Sequence, residues 1–398
     1  MQYLRWRRAR WAVPAAVVVA IGGGALVPTL GGASPPPELS ARTTQQLLAD
    51  IAQAKPPALT GTLTWTANLG LSDLSSLEGE LGESAGPGGG ASDAFNPLSL
   101  LSGSYPVSVW LDGAHAEHLA LNESPTHEVD LVRNGNQAWL WDSADQSVTH
   151  LVFEPGSSPS GTTGAGGSST ATATVLTPQQ FASRLLARLD PTTSVTTGTP
   201  LYVAGQPAYQ LLVAPKSAPG STVGHIEVDV GAKGTLAGVP LQVAVYANGQ
   251  QGPAVELGFT GSLSLGVPPS RELTFTAPPG ANVTTHDVTV GGERAGSAGA
   301  SPSPSPSPSV PLGPLGLQRL GTGWTTVVTG TARALTTPSD QAELGPVTTP
   351  VQVQVAGQQY QARLFSTDLL NVLVMPDGQF YAGFVTAHVL EADASTSS

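Results

Sequence analysis

"NGNQAWLWDSADQSVTHLVF", residues 134–153, contains two strands and the turns that bound them. Asn134-Gly135 is the dipeptide best suited to a two-residue hairpin, because both residues take φ > 0 at little cost. Beyond it the residues alternate: Trp139 and Trp141 fall on one strand face, Ala138, Leu140 and Asp142 on the other. Working upstream, His127–Arg133 pairs with Asn136–Asp142 across that turn, and Asp112-Gly113 joins Tyr105–Leu111 to Ala114–Leu121. Leu63–Leu69 precedes this group and Ser147–Phe153 completes it, giving a meander of short strands with polar turns. Two adjacent tryptophans on one face need a cover, which is the protein's own core, a helix or a guest. Core is the plainer reading, because large aromatics dominate cores by area alone.

A helix precedes the meander. Thr43 and Gln46 have capping-box spacing, Leu47, Leu48 and Ile51 form an apolar stripe, and Lys55-Pro56-Pro57 ends it. The design recurs after the meander, with Thr177 as cap, Pro178 in the first turn, Gln180 completing the box, and Phe181, Leu185 and Leu189 on one face. A second group of strands follows at Leu201–Ala204, Ala208–Val213, Gly224–Val230, Leu241–Tyr246 and Val255–Leu265. Ile226, Val228 and Val230 alternate with His225, Glu227 and Asp229, which predicts one buried and one wet face. The order helix, strands, helix, strands favours a large antiparallel sheet with its helices on one face. So many strands and two helices are best reconciled by a strongly curved sheet wrapped around the helices.

Composition sets the limits. Glycine (47) and proline (35) make up about a fifth of the 398 residues, well above ordinary usage, yet 40% of the chain is hydrophobic. The excess therefore belongs in turns and linkers. Gly86–Ser92 and Gly156–Thr170 read as flexible loop insertions, and the Ser-Pro alternation of Ser301–Ser309 reads as an extended spacer. This divides the chain into a leader (1–33), a sheet domain (40–287), a linker (288–311) and a small C-terminal domain (312–391). The last contains Trp324 and a hairpin signal at Pro376-Asp377-Gly378 within "LLNVLVMPDGQFYAGFV". The spacer predicts two independently behaving folded parts.

The leader places Arg5, Arg7, Arg8 and Arg10 before Trp11–Leu30, an uncharged span that would be about 30 Å long as a helix. Positive charge before the span predicts an exported body, retained as a membrane anchor or released by cleavage near Ala33. The span's length and Trp11 at the interface favour the anchor. The net charge is −12, and without the leader 12 basic against 28 acidic side chains give −16. A nucleic-acid partner is thereby excluded, for want of a basic stripe. No cysteine occurs, which removes disulfides, thiolate metal sites and Cys nucleophiles.

Catalytic patterns are poor. His115 and His118 suggest ligand spacing, but residues i and i+3 of a strand point to opposite faces and no third ligand is placed. No G-x-S-x-G elbow occurs, and the glycines of "GPGGGAS" (86–92) neither follow a strand nor open a helix. Asp142 and Asp145 flank a turn, where Asp is expected for local hydrogen bonds. No enzyme, cofactor or metal is implied.

Strand and helix signatures together carry a family likeness. "YPVSVWLDGAHAEHLAL…HEVDLVRNGNQAWLWDSADQSVTHL", "TPQQFASRLLARLDP", "LYVAGQPAYQLLVAP", "VPLQVAVYANG" and "FTAPPGANV", spanning about 40–287, resemble the LolA/RseB-like superfamily. The resemblance implies an α+β, mainly antiparallel fold: an unclosed half-barrel with helices covering its concave face, which binds acyl chains or lipidated proteins. The additional C-terminal domain makes RseB-type regulators, which act through a membrane protein partner, the closer analogue in layout. LolA-type carriers latch their lid with an arginine inside the barrel, a role Arg133 does not inherit because it abuts a turn. Trp65, Trp110, Trp139, Trp141, Leu185, Leu189 and Tyr209 are the candidates for the helix–sheet interior, as packing residues first and ligand contacts second. The expected function is an exported, non-catalytic lipid- or lipoprotein-binding protein; the alternative is a membrane-anchored sensor acting through a protein partner.

Overall fold

The computed structural model describes residues 35–70, 101–124, 127–153, 177–178, 192–288, 310–312, 317–331 and 348–396. The leader, both glycine-rich insertions, the second helix with Leu185 and Leu189, and the Ser-Pro run lie outside the described residues.

Helix α1 (Thr44–Gln53) begins at the expected cap: Gln46 N donates to Thr43 Oγ1 (3.2 Å) and Thr43 N to Gln46 Oε1 (2.9 Å). These two bonds satisfy donors that a helix start otherwise leaves free. Leu47 and Ile51 are buried. Each such side chain contributes roughly 1.5–3 kcal/mol when removed from water.

Thirteen strands form the first sheet. Six build the meander: β1 (Ala58–Asn68), β2 (Ser102–Asp112), β3 (Ala116–Ser124), β4 (His127–Asn134), β5 (Gln137–Asp142) and β6 (Ser147–Phe153). Then come β7 (Thr193–Thr197), β8 (Leu201–Val203), β9 (Gln206–Pro215), β10 (Val223–Gly231), β11 (Pro240–Ala247), β12 (Val255–Leu265) and β13 (Asn282–Val288). The spatial order is β13-β6-β5-β4-β3-β2-β1-β12-β11-β10-β9-β7, with β8 also on β9. All pairs are antiparallel except β13, which runs parallel to β6. Both ends of the path are therefore open.

The predicted hairpin at Asn134 forms one residue later. Asn134 pairs with Gln137, so Gly135 and Asn136 are the loop, and only Gly135 has positive φ (60°). A glycine in the first central position suits this variant, and the alternation beyond it is preserved. At Val355–Gln358 both loop residues, Ala356 (φ 48°) and Gly357 (φ 84°), are left-handed. Ala356 is exposed and gains nothing there. Ala356→Asn should raise stability by about 0.5–1 kcal/mol, because Asn tolerates this region better. Urea midpoints test this, and a lower midpoint for the variant would mean the turn holds no such strain.

Cross-strand registers assign every side chain of the first sheet to an inner or outer face. The inner face builds two cores. One joins α1 to Leu211, Val213, Val228, Val243 and Val245 of β9–β11. The other joins Leu59, Leu63, Val107, Val109 and Leu119 of β1–β3 to Val203 in β8 and to Leu236 and Val239 in the β10–β11 connection. The inner face of β1–β3 thus packs against segments from the far half of the same sheet.

A seven-stranded antiparallel sheet follows: β14 (Val310–Leu312), β15 (Leu317–Leu320), β16 (Val327–Thr331), β17 (Thr349–Val355), β18 (Gln358–Ser366), β19 (Asn371–Val374) and β20 (Gln379–Gly383), ordered β14-β15-β16-β20-β19-β18-β17. The signal at Pro376-Asp377-Gly378 closes β19 onto β20, with Gly378 N donating to Met375 O (3.0 Å). Helix α2 (Ala387–Thr396) buries Leu390 and Ala394 against this sheet.

The two sheets are docked, contrary to the expectation of independent parts. Leu369 lies within the core of the first sheet, with Trp324, Phe365 and Phe384 packed beside it. Backbone bonds cross the junction: Asp368 N to Leu69 O (2.9 Å), Thr222 N to Phe384 O (3.0 Å) and Thr386 N to Gly220 O (2.7 Å). Thr222 Oγ1 donates to Leu369 O, and Trp324 Nε1 donates to Thr193 Oγ1 (3.0 Å). At Gly220 (φ +95°) a Cβ would sit 2.5 Å from Val389 Cγ2, so glycine permits the close approach.

Candidate functional site

The sheet divides the candidate residues between its faces. Trp65 is opposite Tyr105 and Leu257 on the inner face, half-buried. Tyr209, opposite Val230, shares that face, and its hydroxyl donates to Ser40 O (2.8 Å) at the approach to α1. Trp110, Trp139 and Trp141 lie on the outer face. The register Trp110–His118–Val132–Trp139–His150 runs straight across five strands.

The chain itself covers that row. Between β12 and β13 the 3-10 turn Ser270–Leu273 crosses the outer face, where His118 Nδ1 contacts Glu272 O (2.8 Å) and Asn134 Nδ2 donates to Leu273 O (3.1 Å). Trp139 stacks between His150 (5.0 Å) and Phe275 (6.2 Å), and Trp110 stacks on His118 (4.7 Å). Trp141 is 8% exposed. Trp110 and Trp139 are half-buried beneath this strap, which leads into the parallel edge strand β13. His118 also faces Asp130 Oδ1 (3.5 Å), while His115 is exposed, so the two histidines do not converge. Among the described residues no group of three or more His, Asp or Glu is placed to hold a metal ion.

The inner face is unevenly covered. Over β1–β3 and β9–β12 its aliphatic side chains are mostly buried, whereas Val129, Leu131, Leu140 and Leu151 on β4–β6 are only half-buried. At the rim of this apolar stretch Arg133 Nε bonds Glu117 Oε1 (3.0 Å) and a terminal guanidinium nitrogen donates to Ala114 O (3.2 Å). A cavity of about 200 Å3 beside α1 is lined by Arg42, Asp50, Tyr209 and Gly238.

A polar site lies on the outer face of β9–β12, where the sequence predicted a wet surface. Asp229 is instead 1% exposed, and its Oδ1 has no hydrogen-bond partner. Burial first, then the neighbouring Glu227 carboxylate, push its carboxyl up to about 8. Glu256 is pushed up to about 7 by the same two causes in the same order. Burial, followed by Glu227, also raises the Tyr246 hydroxyl, which donates to Glu227 Oε2 (3.1 Å). Gln210 Nε2 donates to the same oxygen (3.3 Å). Alternation located His225, Glu227 and Asp229 in the sequence, but Gln210, Tyr246 and Glu256 join them only through pairing across four strands.

No family model matches the chain, and no curated protein does either. Similar solved structures include a chain of the Pseudomonas aeruginosa MucA/MucB complex, at 15% identity over 88% of this chain and 95% of that one, TM-score 0.39. An uncharacterised conserved protein from Thermus thermophilus is 7% identical over 61% of this chain and 98% of its own, TM-score 0.32. A LolA superfamily protein from Nitrosomonas europaea is 10% identical over 59% and 99%, TM-score 0.21. These likenesses concern fold alone.

Proposed function

We propose that the chain is an exported, non-catalytic binding protein that holds an acyl chain, of a lipid or a lipidated protein, on the inner face of its first sheet. The observation that carries this reading is the half-covered apolar stretch Val129, Leu131, Leu140 and Leu151 on a face whose other aliphatic side chains are mostly buried. An aliphatic guest completes that burial by area, with little hydrogen bonding, and about 25 cal/mol per Å2 is enough for micromolar affinity. The sequence resemblance to LolA/RseB-like proteins supports the same class of ligand. Delipidated full-length protein should bind a fluorescent fatty acid, and Leu140→Asp should weaken binding at least about tenfold by charging the apolar stretch. If the delipidated chain takes up neither dye nor lipid, the reading fails.

The second reading is an RseB-like sensor tethered to the outer face of a cytoplasmic membrane and acting on a protein partner. It draws on the leader, whose four arginines orient an uncharged span, and on the second sheet locked to the first. Among the described residues no helix is long and apolar enough to cross a membrane, so the tether would be Trp11–Leu30. A mature N-terminus at Ser34 in the culture medium would exclude that tether and leave the binding reading intact.

A further inference from the structure

The second sheet docks at one end of the first sheet's strands, at Leu69, Thr193 and Thr222. The turns at 113–115, 135–136, 204–205 and 232–239 lie at the other, free end. Among the described residues five large apolar side chains are exposed, and three of them, Tyr202 (50%), Leu265 (50%) and Val267 (69%), belong to this free end. Leu265 pairs with the fully buried Leu59, so it stands where the inner core runs out. Gly266 N donates to Ala58 O (2.9 Å) and Pro268-Pro269 follow, which presents Val267 on a restrained backbone. Strand β8, which carries Tyr202, lies against β12, and Leu201, Val203 and Leu263 share one core with Leu59. The three exposed side chains thus rim the mouth of a single core. Two exposed lysines flank them. Lys55 leads into β1, and Lys233 is beside Tyr202, because Ala232 N donates to the carbonyl of Pro207, the register partner of Tyr202 (2.9 Å).

We propose that this free end docks on an anionic lipid surface, with Tyr202, Leu265 and Val267 entering the headgroup layer and Lys55 and Lys233 set against the phosphates. Apolar side chains flanked by lysines fit such an interface: the former leave water, and each cation gains from the negative surface. Tyrosine suits that depth, with an apolar ring and a hydroxyl for the headgroups. A second copy of the chain is a poorer occupant. Three partly exposed side chains offer far less than the roughly 800 Å2 that each partner brings to a stable protein interface. A bilayer sets no such threshold, since it conforms to whatever enters it. Charge decides which end approaches. The chain's net charge of −12 repels an anionic membrane, so docking requires a locally cationic end. Here Glu117 and Glu272 are each paired with an arginine, Arg133 and Arg271. Only the half-buried Asp112, opposite Ala58, stands against Lys55 and Lys233 on this side of the sheet. The docking surface does not rest on the acyl site.

The absence of cysteine makes single fluorescent labels clean. Thr235→Cys places one on the exposed β10–β11 turn at the free end, and Gln352→Cys places one on β17 of the second sheet. Full-length protein is reconstituted in vesicles of phosphatidylglycerol and phosphatidylcholine whose headgroups carry a spin-label quencher. The label at position 235 should be quenched and the label at position 352 should not. With the label at 235, the pair Leu265→Asp and Val267→Asp should abolish quenching. The pair Lys55→Glu and Lys233→Glu should weaken docking at least about tenfold, as should vesicles of phosphatidylcholine alone. All four side chains are exposed, so the variants should keep the wild-type thermal midpoint. Equal quenching at both positions, quenching that survives the aspartates, or indifference to lipid charge would each overturn the surface. A label at 235 that becomes buried without being quenched by lipid would make this end a contact between copies, and would overturn it as well. Fatty-acid uptake is read in solution without vesicles, so failure of either reading leaves the other standing.

Discussion

Asp229→Asn stabilises the protein at pH 9 and leaves it nearly unchanged at pH 4. In the unfolded chain this carboxyl titrates near 3.8, and in the fold near 8. Between those values the native state holds a proton that the unfolded state has released. Unfolding free energy therefore falls as pH rises across that window, because the slope follows protons bound unfolded minus native. The stabilising contribution is complete below the unfolded value and lost as pH passes the folded one. A displacement of this size corresponds to several kcal/mol, on the order of 5. Glu256, displaced from 4.5 to about 7, acts in the same direction. Thermal midpoints of wild type should thus decline from pH 5 to pH 9, and the Asn variant should show a flatter profile. A uniform loss at every pH would instead mean that Asp229 is ionised in the fold and that Asn removes a favourable contact.

The meander was legible because each strand declares itself locally, through alternation and a turn dipeptide. Two strands of the first sheet gave no such signal. β7 (TSVTT) is short and polar, and β13 (NVTTHDV) follows a proline-rich stretch and pairs in parallel with β6, far away in sequence. Alternation also cannot tell which parity faces inward on successive strands, since hairpin register decides that. Trp65 and Trp110 look equivalent in sequence, yet Trp65 pairs with Tyr105 and Trp110 with Thr60, which turns them to opposite faces. The strap over Trp139 ends in Phe275, whose partner lies more than a hundred residues earlier. Alternation assigns Asp229 the correct face but the wrong solvent: it is 1% exposed between its register partners Gln210 and Gln242, which neighbouring strands supply. Docking of the second sheet was hidden for a related reason. A Ser-Pro run describes the tether between two bodies and says nothing of the surfaces they present.

That docking is strong enough to survive a broken chain. Leu369 is 3% exposed inside the first sheet's core, beside Leu47 and Val223 in the same cluster, although it belongs to the β18–β19 connection of the second sheet. Truncating such a leucine typically costs about 2–5 kcal/mol, from lost transfer energy and the cavity left behind. A charge there costs more, because an isolated carboxylate has no partner among apolar walls. The backbone bonds at Thr222, Asp368 and Thr386 hold only while this core excludes water from them. A protease that cuts within 291–309 should therefore leave two fragments that co-elute on gel filtration. Wild-type protein should also unfold in one transition, with both sheets lost together. Leu369→Asp should release the two fragments after the same cut, and Leu369→Ala should lower the shared midpoint by the energy given above. Fragments of cut wild-type protein that part on the column would mean the junction holds only through the covalent linker, and the shared core would lose its role in joining the sheets.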